Sequence, residues 1–136
     1  MATYVSPIHQ LVTEIVVRDI RRSTEFYRRF GFEFLRDGGD FAELAWEEHR
    51  LFLAEVSAFR DARHVELPAA PTFPLANVRV MIPNVDHYWK LANEIGTRIV
   101  IPIADRYYGL RDFLLADPDG FGVRFASPLQ ASGVST

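Results

Sequence analysis

The chain has 136 residues, 49% apolar and 24% charged, the balance of one globular domain and not of a disordered segment. Lys plus Arg number 15 and Asp plus Glu 18, a formal charge of −3, so the basic excess of a phosphate-holding domain is missing and nucleic acid is not an expected partner. With no cysteine, the chain excludes disulfides, Cys-ligated zinc, iron–sulfur clusters and thiol nucleophiles.

No apolar run reaches the roughly 20 residues of a membrane helix, so no membrane partner is expected. Met1 to Leu11 shows no basic stretch followed by a long apolar one, so no signal peptide is expected. The expectation is a soluble, cytoplasmic protein.

In chain order, Leu11–Arg18 reads as a strand and Asp19 as the N-cap of a helix. Ile20, Phe26, Tyr27 and Phe30 form its apolar stripe, and Gly31 supplies the stop. Three strands follow: Glu33–Arg36, Phe41–Trp46 and Leu51–Val56. Asp37-Gly38-Gly39-Asp40 turns between the first two, and Glu47-Glu48-His49 between the last two.

Shifted by 65 positions, the pattern recurs. Ile15 and Val17 map onto Val80 and Ile82, Asp19 onto Asn84, Ile20 onto Val85, Phe26 onto Leu91, Phe30 onto Ile95, Gly31 onto Gly96 and Leu35 onto Val100. The second copy has a strand at Asn77–Ile82 and a helix striped by Val85, Leu91, Ala92 and Ile95, which Asn84 or Asp86 can cap. Its further strands are Arg98–Ile103, Asp112–Ala116 and Gly122–Ala126, with a proline- and glycine-set turn at Asp117-Pro118-Asp119-Gly120. Pro68, Pro71 and Pro74 mark the segment between the copies as a linker, and the polar tail after Pro128 is expected to fray.

The expected fold is α+β: two βαβββ modules, 10–57 and 75–127, joined by a linker at 58–74 within a single domain spanning 1–136. Their curved mixed sheets are expected to surround a cavity. A half-unit of about 50 residues buries too little surface to stand alone.

Three fragments in this order carry a resemblance. They are Val17-Arg18-Asp19-Ile20 with Phe26-Tyr27 and Gly31-Phe32, then Tyr108-Gly109-Leu110-Arg111-Asp112-Phe113, then Asp117-Pro118-Asp119-Gly120. On a doubled βαβββ they resemble the vicinal oxygen chelate superfamily of glyoxalase I, extradiol dioxygenases, and fosfomycin and bleomycin resistance proteins. The superfamily hosts many chemistries, so the fold does not settle the function.

Metal-dependent members of the superfamily hold a divalent ion with His and Glu side chains facing the cavity. The resemblance places the corresponding positions at Val12, Asn77 and Arg124. Valine has no donor atom, and arginine stays positive and presents no lone pair. His9, His49, His64 and His87 fall in the leading segment, a turn, the linker and a helix start, none on an expected cavity face. The expectation is therefore no metal and no cofactor. This departure resembles the metal-free, bleomycin-resistance-like branch, which implies antibiotic resistance by sequestration of a flat ligand in grooves of a homodimer. The alternative is a glyoxalase-, dioxygenase- or epimerase-like enzyme with a misregistered metal site or an acid–base pair built on Glu14.

Strand alternation sends Ile15 and Val17 toward the helix and leaves Glu14 on the cavity face, with Asn77 and Arg79 on the fifth strand and Arg124 on the last. Burying unpaired charges is costly, so these residues either line a ligand site or form a structural ion-pair network of Glu14 with Arg79 or Arg124. The two arginines favour an anionic or carboxylate ligand.

Phe41, Trp46 and Phe52 can stack on a planar ligand or simply pack a core or dimer interface. Tyr107 and Tyr108, adjacent on a loop, suit a pocket lid or subunit contact. Arg111 is a ligand-binding candidate; it and Asp112 can equally start a surface strand. Trp89 reads as packed, and Asp117 and Asp119 as turn residues with too few oxygens for calcium. No serine lies in a nucleophile-elbow motif.

Overall fold

The computed structural model describes residues 11–129. The leading segment, with His9, and the tail expected to fray beyond Leu129 lie outside the described residues. The chain divides after Ala69 into two units, each with one four-stranded mixed sheet and one helix.

The first unit runs β1 (Thr13–Val17), α1 (Ile20–Arg29), β2 (Glu33–Asp37), β3 (Phe41–Trp46) and β4 (His49–Glu55). Its sheet order is β1-β4-β3-β2, with β1 parallel to β4 and the other pairs antiparallel. The second unit repeats this with β5 (Asn77–Met81), α2 (Val85–Ile95), β6 (Arg98–Asp105), β7 (Leu110–Ala116) and β8 (Gly122–Pro128), in the order β5-β8-β7-β6. β5 is parallel to β8.

Alternation builds each core. Ile15 and Val17 are buried on the face that also carries Leu51, Leu53 and Leu44. Tyr27 of α1 meets Phe32 edge-on at 5.3 Å and Phe26 at 5.0 Å. Such aromatic pairs add about 0.5–1.5 kcal/mol each beyond their buried area. In the second unit Tyr88 stacks on Phe125 at 4.8 Å, and Trp89 meets Phe113 at 5.1 Å, which makes Trp89 a packing residue.

Asp19 caps α1, its Oδ1 accepting from the N–H groups of Arg21 and Arg22 at 3.1 and 3.2 Å. Asn84 holds the same position before α2 but makes no side-chain cap, and neither does Asp86 replace it: the buried Ser127 accepts from Val85 N–H at 2.8 Å and donates to the Ile82 carbonyl at 2.6 Å. The first unit has a counterpart, Glu55 accepting from Ile20 N–H at 2.7 Å. The final strand of each unit thus caps its helix through one polar side chain. Gly96 ends α2 in the left-handed region, at φ 84°.

Several strands run longer than their sequence reading. β4 begins at His49, which pairs with Trp46, so the turn is only Glu47-Glu48 and His49 belongs to the strand. β6 continues through Pro102 to Asp105, which an edge strand with register shifts tolerates because its outer N–H groups have no ladder partner. The connecting segment holds short 3-10 turns at Val56–Ala58 and Arg60–Ala62. Its end lies along the second unit: Arg98 donates to the Thr72 carbonyl at 3.0 Å, and a Cβ on Gly120 would come within 2.9 Å of the Ala70 Cβ.

Candidate functional site

In each unit the helix covers one sheet face and leaves the other to the alternate residues. On the second sheet, pairing sets Arg79 opposite Arg124 and Arg124 opposite Leu114, so all three share the face away from α2. One step along, Met81, Ala126 and Asp112 share it too.

Asp112 is fully buried, not the start of a surface strand. Its Oδ1 accepts from Arg106 Nε at 2.8 Å, and its Oδ2 from the Tyr108 hydroxyl at 2.6 Å and Arg124 Nη1 at 3.1 Å. Arg106 also donates to the carbonyls of Asp112 and Pro102, tying the strand ends together. A buried carboxylate survives only when paired and hydrogen-bonded in this way. Burial alone would push its pKa up, but the hydrogen bonds from Tyr108, Arg106 and Arg124 together outweigh it and hold the carboxyl below its ordinary range. The hydrogen bond to Asp112 raises the Tyr108 phenol, so it remains a donor.

Tyr108 also accepts from Arg124 Nη1 at 3.2 Å, and the Arg79 guanidinium lies over its ring at 5.7 Å. Arg124 Nε is buried with no partner among the described residues, at a typical cost of about 1–3 kcal/mol. Tyr107 meets Tyr108 edge-on at 5.2 Å and is fully exposed on the turn between β6 and β7, where Gly109 takes φ 93°. Asn77 pairs with Gly122, and a Cβ on Gly122 would sit 2.7 Å from the Asn77 Cβ, so glycine lets the two strands meet.

The geometry thus brings Arg79, Tyr108 and Arg124 together, with Asn77 on the same face and Tyr107 at the edge. Arg111 points the other way, to ion pairs with Asp86 of α2 and Asp105, both at 3.0 Å. Those hydrogen bonds raise its pKa, and it stands apart from the arginine pair.

On the first sheet, Glu14 pairs with Phe52 and Phe52 with Glu43 on the face away from α1. Glu43 accepts from Arg36 Nε at 3.0 Å and Arg50 Nε at 3.2 Å. Phe41 meets Phe52 edge-on at 5.0 Å, under the Arg36 guanidinium at 5.2 Å. Trp46 faces the opposite way: it contacts Phe32 at 5.1 Å and would meet a Cβ on Gly31 at 3.4 Å. It is part of the helix-side core, because its position is odd in register against Phe41 and Glu43.

A separate cavity of about 760 Å³ lies beside α1, lined among others by Asp19, Thr24, Arg28, Phe34, Asp40 and Glu55. Three of its carboxylates already serve the fold, Asp19 and Glu55 at the helix start and Asp40 accepting from Ser57. None of the site residues expected from sequence lines it.

The positions that the resemblance assigned to a metal do not suit one. Arg124 directs a guanidinium into the Asp112 cluster, Asn77 offers an amide beside Gly122, and Val12 offers hydrocarbon. Among the described residues no three His, Asp or Glu side chains are grouped to hold an ion. No described helix is long and apolar enough to cross a membrane.

Residues 8–125 match the model of the glyoxalase/bleomycin resistance protein/dioxygenase superfamily. The chain belongs to this superfamily. The solved structures agree on the fold. A protein of unknown function from Agrobacterium tumefaciens is 25% identical, with a TM-score of 0.71 over 85% of this chain and 90% of that one. A glyoxalase/bleomycin resistance protein/dioxygenase from Nocardioides is 20% identical, with a TM-score of 0.73 over 98% and 91%. A bleomycin resistance determinant encoded on the transposon Tn5 is 16% identical, with a TM-score of 0.65 over 89% and 98%. Among curated proteins, none is detectably similar to the chain.

Asp112 and Arg106 are the site residues that sequence reasoning passed over. The signal for Asp112 was present: within Leu110–Ala116 it is the one acidic residue in an otherwise apolar strand centre, in step with Leu114 and Ala116.

Proposed function

We propose that this superfamily member is a metal-independent binding protein that takes a planar or aromatic small molecule on the open face of its second sheet and acts by sequestration. The observation that carries this is the group formed by Arg79, Tyr108 and Arg124, a cation stacked on an aromatic ring beside a second cation fixed by the buried Asp112. It presents flat, delocalised surfaces for recognition, and its one hydroxyl, that of Tyr108, is already donated to Asp112. The donor chemistry at Val12, Asn77 and Arg124 supports independence from metal.

A homodimer belongs to the same proposal. Val16 on the first sheet and Met81 on the second remain 38% and 48% exposed on faces that their own helices leave open, and a second copy of the chain would cover such apolar surface. Likeness to the Tn5 bleomycin resistance determinant supports a role in antibiotic resistance, and the lack of a long apolar helix among the described residues is compatible with action in the cytoplasm.

Three probes sharing one ring system test the proposal: 2-naphthoate, 2-naphthamide and 2-naphthylmethylammonium, titrated into 15N-labelled protein and followed by amide shifts. Binding of at least one at β5 and β8, with no chemical change in the probe and no stoichiometric metal in protein purified without chelator, is the expected result. Stoichiometric zinc, nickel, iron or manganese, or failure of all three probes to bind, overturns it. Sedimentation that shows only monomer at micromolar concentration overturns the dimer.

A further inference from the structure

We infer that the ligand carries a carboxylate, and that Arg79 and Arg124 clamp it on the open face of the second sheet. This rests on the binding proposed above and narrows it to planar organic acids.

The charge on that face is unbalanced. Arg106 and Arg124 grip a single carboxylate, Asp112, and a third arginine, Arg79, lies over the neighbouring Tyr108 ring. Asp112 accepts from Arg106, Tyr108 and Arg124, and no hydrogen bond joins it to Arg79. Within the second unit, the side-chain contact of Arg79 among the described residues is with the Tyr108 ring, and no carboxylate there pairs with it. It is exposed, and directly opposite Arg124 across a parallel strand pair, where two like charges repel. An anion placed between them would relieve that repulsion.

The donors match a planar anion in kind. Arg124 spends only Nη1, on Asp112 and Tyr108. Its Nη2 makes no hydrogen bond among the described residues, and its Nε is unpartnered as well. A guanidinium recognises a carboxylate through two parallel N–H groups; Arg79 keeps such a pair, while Arg124, whose Nε is buried and whose Nη1 is spent, adds Nη2. Asp112 holds Arg124, so that cation need not be ordered when the ligand arrives. A cationic ligand would meet the same surplus as repulsion.

The naphthyl series separates this inference from the binding proposal. The expected order is 2-naphthoate tightest, 2-naphthamide about tenfold weaker and 2-naphthylmethylammonium weaker still, the tenfold step being that of one charge-assisted hydrogen bond. Arg79→Gln should weaken 2-naphthoate about tenfold and 2-naphthamide little, while Lys90→Gln, which removes the same charge from exposed α2, should change neither. Equal or tighter binding of the amide or the ammonium overturns the carboxylate inference and leaves the binding proposal standing. So does a carboxylate preference that survives Arg79→Gln intact, whereas shifts that fall only on the first unit overturn both. Failure of all three probes overturns both.

Discussion

The two units share one architecture and differ in the charge on their open faces. Each centres on a carboxylate of its third strand, gripped by two arginines: Glu43 by Arg36 and Arg50, Asp112 by Arg106 and Arg124. In the first unit the first strand contributes Glu14, and two arginines face two carboxylates. In the second unit the residue 65 positions later is Arg79, and three arginines face one. The repeat provides two sheets of one topology, and the reversal of sign between Glu14 and Arg79 distinguishes their open faces. The difference also lies in depth, since Asp112 is wholly buried whereas the Glu43 side chain retains 11% exposure.

That difference in depth sets the largest expected effect. Asp112→Asn removes the charge that compensates Arg106 and Arg124 while keeping the shape, and should cost about 3–5 kcal/mol in urea unfolding. Glu43→Gln, in a more hydrated cluster, should cost about 1 kcal/mol. Equal losses would erase the distinction between the two sheets. A pH series sharpens it. The folded pKa of Asp112 lies below its unfolded value, so its stabilisation is complete above the ordinary carboxylate range and fades as pH falls through the depressed folded value. Stability that declines only below about pH 4, with that part of the decline absent in Asp112→Asn, is the expected pattern.

The strand pair that carries the arginines comes next. Gly122→Ala would drive a methyl into the Asn77 Cβ at 2.7 Å and the Ala76 carbonyl at 3.0 Å, both fixed by the ladder, and should cost about 1–3 kcal/mol. Gly39→Ala meets open space in the first unit and is opposed only by its φ of 87°, so about 1 kcal/mol is expected. Chemical denaturation of both variants compares steric crowding with backbone strain.

The sequence carried the fold in its period. Residues 15 and 17 against 80 and 82, with the two stop glycines, reveal the succession of strands and helix in each unit, because the same alternation that buries Ile15 and Val17 appears twice; the order of strands within each sheet was not legible there. The period also placed Arg79 and Arg124 on one face. Trp46 escaped because its face depends on counting within β3, where Phe41 and Trp46 differ by an odd step. Asp112 escaped because a lone carboxylate beside an arginine on a strand reads as a surface start until Arg106, Tyr108 and Arg124 fold over it. The caps were hidden for a geometric reason: the helices repeat at an offset of 65, but Glu55 and Ser127 are 72 apart, since the second unit's strands and turns are longer.

Those two caps give the smallest expected difference, and the one most specific to chemistry at equivalent positions. Ser127 is buried and uses both halves of its hydroxyl, so Ser127→Ala leaves the Val85 N–H without an acceptor in a place water does not reach. The expected cost is about 1–2 kcal/mol. Glu55→Gln keeps an oxygen for Ile20 N–H and loses only the attraction between a carboxylate and the positive end of α1, so about 0.5 kcal/mol is expected. Salt distinguishes the causes. Raising ionic strength should shrink the Glu55→Gln effect, which is electrostatic and partly exposed, and leave the Ser127→Ala effect unchanged, because an orphaned buried N–H is beyond the reach of counterions.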